Sequence, residues 1–121
     1  MDERFRPAER LRKKTEIEAV LRQPGRPGKY CVLHVLLHDG PFSRLGLVVS
    51  RAAGPAVTRN RAKRRIREIF RRAKGRFTRP ADFVVRARRS IAEATFAQLA
   101  DDITRLMKQA RLLEDRLLED P

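Results

Sequence analysis

The chain has 121 residues, with 29 Lys and Arg against 15 Asp and Glu, giving a formal net charge of +14 at pH 7. Hydrophobic residues make up 41% of it, enough for one modest core without metals or bridges, and a pI near 11.5 calls for a polyanionic partner. No apolar run approaches the ~20 residues that span a bilayer, and the single cysteine, Cys31, excludes an internal disulfide. Met1 to Pro7 is charged and lacks the apolar stretch of a secretory signal, so a cytoplasmic location is expected. Cys31 lies in an apolar run and reads as a small buried hydrophobe.

Residues 1–14 form a basic, extended N-terminal segment, with Arg10, Arg12, Lys13 and Lys14 clustered at its end. Thr15-Glu16-Ile17-Glu18 fits a capping box and starts a short helix whose apolar stripe is Ile17, Val20 and Leu21. Gln23 to Lys29 holds two Pro-Gly pairs and reads as a loop. Tyr30 to His38 alternates as a strand. Cys31, Leu33, Val35 and Leu37 make its core side, and Tyr30, Val32, His34, Leu36 and His38 make a mixed, working side. Asp39-Gly40-Pro41 turns the chain into a second strand, Ser43 to Ser50. Its short spacing from the first predicts an antiparallel hairpin.

Thr58 to Arg76 holds ten cations and one acid, Glu68, and so carries +9 of the chain's charge. Ala62, Ile66, Ile69, Phe70 and Ala73 fall on one stripe of a helix, with Thr58 as N-cap and Gly75 as stop. Arg59 and Arg61 near the start oppose the helix dipole, which points to an anion beside them. The run is nearly all arginine, the bidentate phosphate binder, so a nucleic acid outranks bulk solvent as its neighbour. A basic loop, Lys74 to Ala81, leads to a third strand, Asp82 to Arg89. Arg86 and Arg88 there either extend a positive surface or are solvated. The last helix starts at Thr95 in preference to Ser90 and carries Phe96, Leu99, Ile103, Leu106, Ala110 and Leu113. RLLED then repeats to Asp120 and reads as a frayed extension of that helix, with residues 114–121 an acidic tail. The sum is one α+β domain over residues 1–121, ordered α-β-β-α-β-α with room for one extra short strand, in which helices pack a mixed sheet.

The run Ala56-Val57-Thr58-Arg59-Asn60-Arg61-Ala62-Lys63-Arg64-Arg65-Ile66-Arg67-Glu68, preceded by Val49-Ser50-Arg51, resembles the bacterial ribonuclease P protein component. That family's signature is an Arg-Asn-Arg run followed by spaced basic residues, three residues after an alanine. The resemblance covers roughly Glu9 to Leu113. It implies a left-handed βαβ crossover, against the usual hand. It also implies a protein that binds a large catalytic RNA, which uses magnesium to cut the 5′ leader from precursor tRNA. The RNA then performs the cleavage, no protein side chain is catalytic, and no metal is held by the protein. One protein monomer per RNA and no membrane contact are expected.

By position, the resemblance makes Ser50, Arg51, Arg59, Asn60, Arg61, Lys63, Arg64, Arg65 and Arg67 the RNA-binding set. It lines a leader cleft with Arg12, Lys13, Ile17, Leu21, Tyr30, Val32 and His34. Relatives carry phenylalanine at the positions of Ile17 and Leu21 and an aromatic at that of His34, so this cleft offers apolar contact without their π faces. Asn60 either reads a base edge or 2′-OH, or caps the helix start.

Other classes fit less well. His34 and His38 are the only histidines, and four strand residues put them about 13 Å apart, too far for one metal. No Ser-His-Asp set or phosphate-cradling Gly-rich loop is present. A helix-turn-helix needs a second helix before Thr58, where Gly54-Pro55 interrupts. A membrane-surface helix needs a broader apolar stripe. A structural RNA binder shares the composition and is set apart by the Arg-Asn-Arg context alone.

Overall fold

In the computed structural model, which describes residues 5–113, three helices and four strands appear in the order α1 (Lys14–Leu21), β1 (Arg26–Pro27), β2 (Cys31–Leu37), β3 (Arg44–Val48), α2 (Ala56–Ala73), β4 (Ala81–Ala87) and α3 (Phe96–Gln109). The α+β order expected from the sequence holds. The extra strand is β1, inside the Gln23–Lys29 segment, with Arg26 opposite Leu33 and Pro27 opposite Val32. The sheet order is β1-β2-β4-β3. β2 runs antiparallel to β4, and β3 runs parallel to β4 through the α2 crossover.

The expected hairpin between β2 and β3 does not form, because β4 lies between them. Phe83, Val84 and Val85 are all fully buried, so successive residues of β4 are covered on both faces. A strand apolar on both sides belongs in the middle of a covered sheet. β2 and β3, each with one less apolar face, are left to flank it.

Two apolar layers result. The larger packs Cys31, Leu33, Leu45, Phe83 and Val85 of the sheet against α2 and α3. The whole apolar stripe of α2, Ala62, Ile66, Ile69, Phe70 and Ala73, is buried there. The Phe70 ring sits 5.5 Å from Phe5, 5.4 Å from Phe77 and 6.1 Å from Phe83. The smaller layer holds Leu11, Val20 and Val84, with Ile17, Leu21, Leu36 and Val48 packed on them, and seats α1 on the opposite face. Of the core side read for β2, Cys31 and Leu33 are buried and Val35 packs against the core, but Leu37 is exposed, and the strand's mixed side is roofed by α1 and the following loop.

Three helix ends differ from the sequence reading. α1 starts at Lys14, and Thr15 makes no capping bond. α2 starts at Ala56 with Pro55 at the cap, and Thr58 lies inside. A left-handed Gly54 (φ 129°) turns the chain directly into the helix there and packs on Thr58. α3 starts at Thr95 as expected, with both capping-box bonds present. It stops at Gln109, because Arg111 is left-handed (φ 62°) and Leu113 bridges to Phe77 instead. Leu112 and Leu113 therefore do not extend the helix. The acidic tail, 114–121, lies outside the described residues.

The N-terminal segment is extended where it is described, apart from a 3₁₀ turn at Pro7–Glu9. The Leu11 N–H donates to the Leu45 carbonyl at 2.8 Å, which covers the free edge of β3. Lys74 and Glu9, both nearly buried, pair at 3.1 Å and hold the segment to the end of α2.

At the opposite side, the buried carboxylate of Asp102 accepts the backbone N–H groups of Lys29 (2.9 Å) and Tyr30 (2.8 Å) and an Arg105 guanidinium N–H (2.8 Å). Gly28 lies so close that a Cβ there would stand 2.6 Å from its oxygens. Burial alone would raise its pKa, but the Tyr30 and Lys29 N–H groups and Arg105 outweigh it and hold the carboxyl below its ordinary value. With the folded pKa depressed, the stabilisation is complete above the unfolded-state value and is lost as pH falls through the folded one. Asp102→Asn should cost about 1–3 kcal/mol in urea unfolding at pH 7. The gap to wild type should narrow below about pH 4, and a constant gap from pH 7 to 3 would count against this account.

Candidate nucleic-acid interface

The cations of α2 fall into three groups by what they touch. Arg59 donates to the Gly54 carbonyl at 3.2 Å, and Arg65 donates to the Ala94 carbonyl at 2.8 Å, so both also hold the fold. Near the C-terminal end, Glu68 takes Arg71 at 2.7 Å and Arg72 at 2.8 Å, and Arg71 chiefly, with Arg72, holds its carboxyl down at about 2. Asn60, Arg61 and Arg64 are exposed, and Lys63 and Arg67 half-buried, with no hydrogen bond or ion pair among the described residues. The unneutralised charge therefore sits in the first two thirds of the helix. Because α2 starts at Ala56, Arg59 and Arg61 lie beyond its first turn and oppose the dipole less than the sequence suggested. Asn60 is a full turn inside, so capping is not its role. Ser50 and Arg51 stand exposed in the turn that precedes α2.

A groove of about 410 Å³ runs between the N-terminal segment and α2. Arg10, Arg12, Lys63 and Arg67 line it over a floor that includes Ile17 and Leu47, and among the described residues no acid contributes. Arg67 feels this directly. Burial first, then Arg10 and Arg12, push its pKa below the usual arginine value. Four cations held together with no counter-charge among the described residues form a site that an anion relieves.

This groove gathers only part of the expected cleft. Arg12 and Ile17 line it, Lys13 is exposed just before α1, and Leu21 packs in the small layer. Val32 (8% exposed) and His34 (6%) are buried under the Gln23–Lys29 segment. His34 Nδ1 lies 2.9 Å from the Gln23 carbonyl, and a Cβ on Gly25 would stand 2.6 Å from Val32. Tyr30 belongs to the main core beside Asp102 and leaves the cleft altogether. It precedes β2, so the strand alternation that assigned it a face does not reach it. Arg86 is exposed opposite Val32, whereas Arg88 donates to the Gly28 carbonyl at 2.9 Å. Arg10 was missed as a site residue. Its signal was the Arg10-Leu11-Arg12 alternation, which in an extended segment buries the leucine and leaves an arginine on each side.

α1 is fixed over the sheet by Arg44, which binds Asp82 in a two-pronged contact (2.9 and 2.7 Å) and reaches Glu16 at 3.1 Å. His38 Nε2 lies 3.2 Å from Asp82 but is not aligned for a hydrogen bond, and its Nδ1 accepts the Gly40 N–H at 2.8 Å. This His-Asp contact is thus taken up by structure. The buried Cys31 thiol is pushed up to about 12 by burial and Asp102, which makes it a poor nucleophile.

Sulfate in place of chloride, at matched ionic strength, should raise the melting temperature by about 4 °C or more, the shift that ~1 kcal/mol gives a domain near this size. Arg67→Gln should lose most of that gain while melting no lower than wild type in chloride. Equal melting of wild type in the two salts would remove the anion site.

A family model described as Ribonuclease P matches residues 5–111. A ribonuclease P protein component of Chloroflexus aurantiacus is 43% identical over 112 residues, covering 90% of this chain and 82% of its own. One of Shouchella clausii is 35% identical over 107 residues, covering 87% and 88%. The fold superposes on the Staphylococcus aureus RNase P protein with a TM-score of 0.79 at 26% identity, covering 88% of this chain and 98% of that one. For the Thermotoga maritima RNase P protein the TM-score is 0.75 at 33% identity, covering 84% and 96%.

Proposed function

The chain belongs to the ribonuclease P protein family and serves as the protein subunit beside the ribonuclease P RNA in tRNA 5′ processing; from that premise we propose how its surface does so. The exposed cations of α2, Arg61 and Arg64, face the catalytic RNA together with Asn60, and with Ser50 and Arg51 before them. Arg59 and Arg65 join this set while bracing the helix. The groove between α2 and the N-terminal segment takes the single-stranded 5′ leader of precursor tRNA. Its phosphates lie among Arg10, Arg12, Lys63 and Arg67, and its bases lie against Ile17 and Leu47. The observation that carries this reading is the convergence of those four cations, with no acid in the lining among the described residues.

Two RNAs repel each other, and a +14 protein between them lowers that repulsion and with it the magnesium needed to bring substrate in. Among the described residues no group of three His, Cys, Asp or Glu is placed to hold a metal ion, and the magnesium is assigned to the RNA. Precursor differs from mature tRNA by its extra segments, so a grip on the leader favours substrate over product. With Ile17 in place of a ring, that grip draws more on phosphate than on stacking, which is worth about 1–3 kcal/mol per base where aromatics supply it. The protein acts as a cytoplasmic monomer, one per RNA. No helix among the described residues is long and apolar enough to cross a membrane.

At low magnesium the protein should restore cleavage of precursor tRNA by a bacterial ribonuclease P RNA. Arg61→Ala with Arg64→Ala should demand far more protein and flatten the salt dependence of RNA binding by about 1.4–1.8 log units per log salt. Arg12→Ala with Arg67→Ala should weaken precursor binding while leaving mature tRNA binding unchanged. A double variant of α2 as active as wild type would move the RNA face elsewhere, and equal losses for precursor and mature tRNA would remove the leader from the groove.

A further inference from the structure

Past the C-terminal end of α2 lies a second cavity, of about 420 Å³, that the reading above does not use. Phe42 from the β2–β3 connection lines it, as do Phe77, Arg79 and Pro80 before β4, and the Glu9–Lys74 pair. Its size suits a small ligand or one unit of a polymer. Its charge is simple. Glu9 is the one acid in the lining and is already matched by Lys74 at 3.1 Å, with both side chains nearly buried. Arg79 is exposed and has no hydrogen bond or ion pair among the described residues, so it is the uncompensated charge at this cavity. Phe42 is one of only three large hydrophobic residues exposed among those described, and the one aromatic.

An open ring beside an unmatched guanidinium, at a cavity of this size, is suited to a nucleotide, with the base on the ring and the phosphate at the cation. Lys74 caps α2 and also lines the cavity, so the cavity adjoins the C-terminal end of that helix. We propose that this cavity takes one unpaired nucleotide of the RNA bound along α2, with its base stacked on Phe42 and its phosphate at Arg79. This rests on the RNA-facing reading of α2 and lengthens that surface by the span from α2 to the start of β4.

The chain has no tryptophan, so F42W makes its indole the sole one in the protein. Binding of a bacterial ribonuclease P RNA should quench that indole and leave affinity near wild type, because the larger ring still stacks. F42A should weaken binding roughly 5- to 150-fold. R79A should lower the salt slope by about 0.7, the share of one phosphate on a single strand. Both side chains are exposed, and unchanged melting temperatures would confirm that the variants remain folded. An unquenched indole, with F42A and R79A binding as wild type, overturns the proposal while leaving the α2 surface standing. Loss of binding for the Arg61/Arg64 variant alone, with quenching absent, overturns it in the same way. Quenching by free adenosine or uridine monophosphate but not by the RNA also overturns it, since the cavity then serves a soluble nucleotide.

Discussion

Three consecutive residues of β4, Phe83, Val84 and Val85, have no exposure at all, and the rest of the molecule follows from that. A strand buried on both faces needs a neighbour on each edge and a layer above and below. β2 and β3 supply the edges. α2 and α3 cover Phe83 and Val85, and α1 with Leu11 covers Val84. α2 must then turn its narrow apolar stripe inward, which leaves most of its circumference to arginine. The basic surface of α2 is in this sense the outer side of a core requirement.

The distribution of acids sharpens that surface. Glu68 neutralises the far end of α2, Glu9 is spent on Lys74, Asp82 and Glu16 on Arg44, and Asp102 on two backbone amides. Buried or half-buried carboxylates committed to internal partners cannot screen Asn60 to Arg67. These acids thus serve internal partners, and Arg61, Lys63, Arg64 and Arg67 are left without an acidic partner among the described residues. The ion-paired cations, Arg71 and Arg72, and the unpaired ones, Arg61 to Arg67, are separated along the same helix.

Much of this was legible from the sequence because it is local. The 3–4 spacing of Ala62 to Ala73 and the Thr95 capping box each depend on residues a few positions apart, and each is found as read. The strand order was not legible. The short Asp39–Phe42 link favours a hairpin, whereas the burial of β4 acts over forty residues of chain and overrides it. The site divides the same way. The arginines of α2 declare themselves, but the roofing of Val32 and His34 by Gly25 and its neighbours, and the docking of Arg10 and Arg12 beside Arg67, are tertiary facts. Tyr30 was misplaced because a strand pattern was carried one residue past the strand.

The position of β4 in the chain also bears on how the protein is made. β2 and β3 have no bond to each other, and both wait for residues 81–87 to close the sheet. On a translating ribosome, the first two thirds of the polypeptide emerge before their shared partner exists. Non-local pairing of this kind slows folding and leaves strand edges open meanwhile. α2 emerges in that interval, already helical in pattern and densely cationic. The basic helix is therefore synthesised before the strand that closes the sheet beneath it.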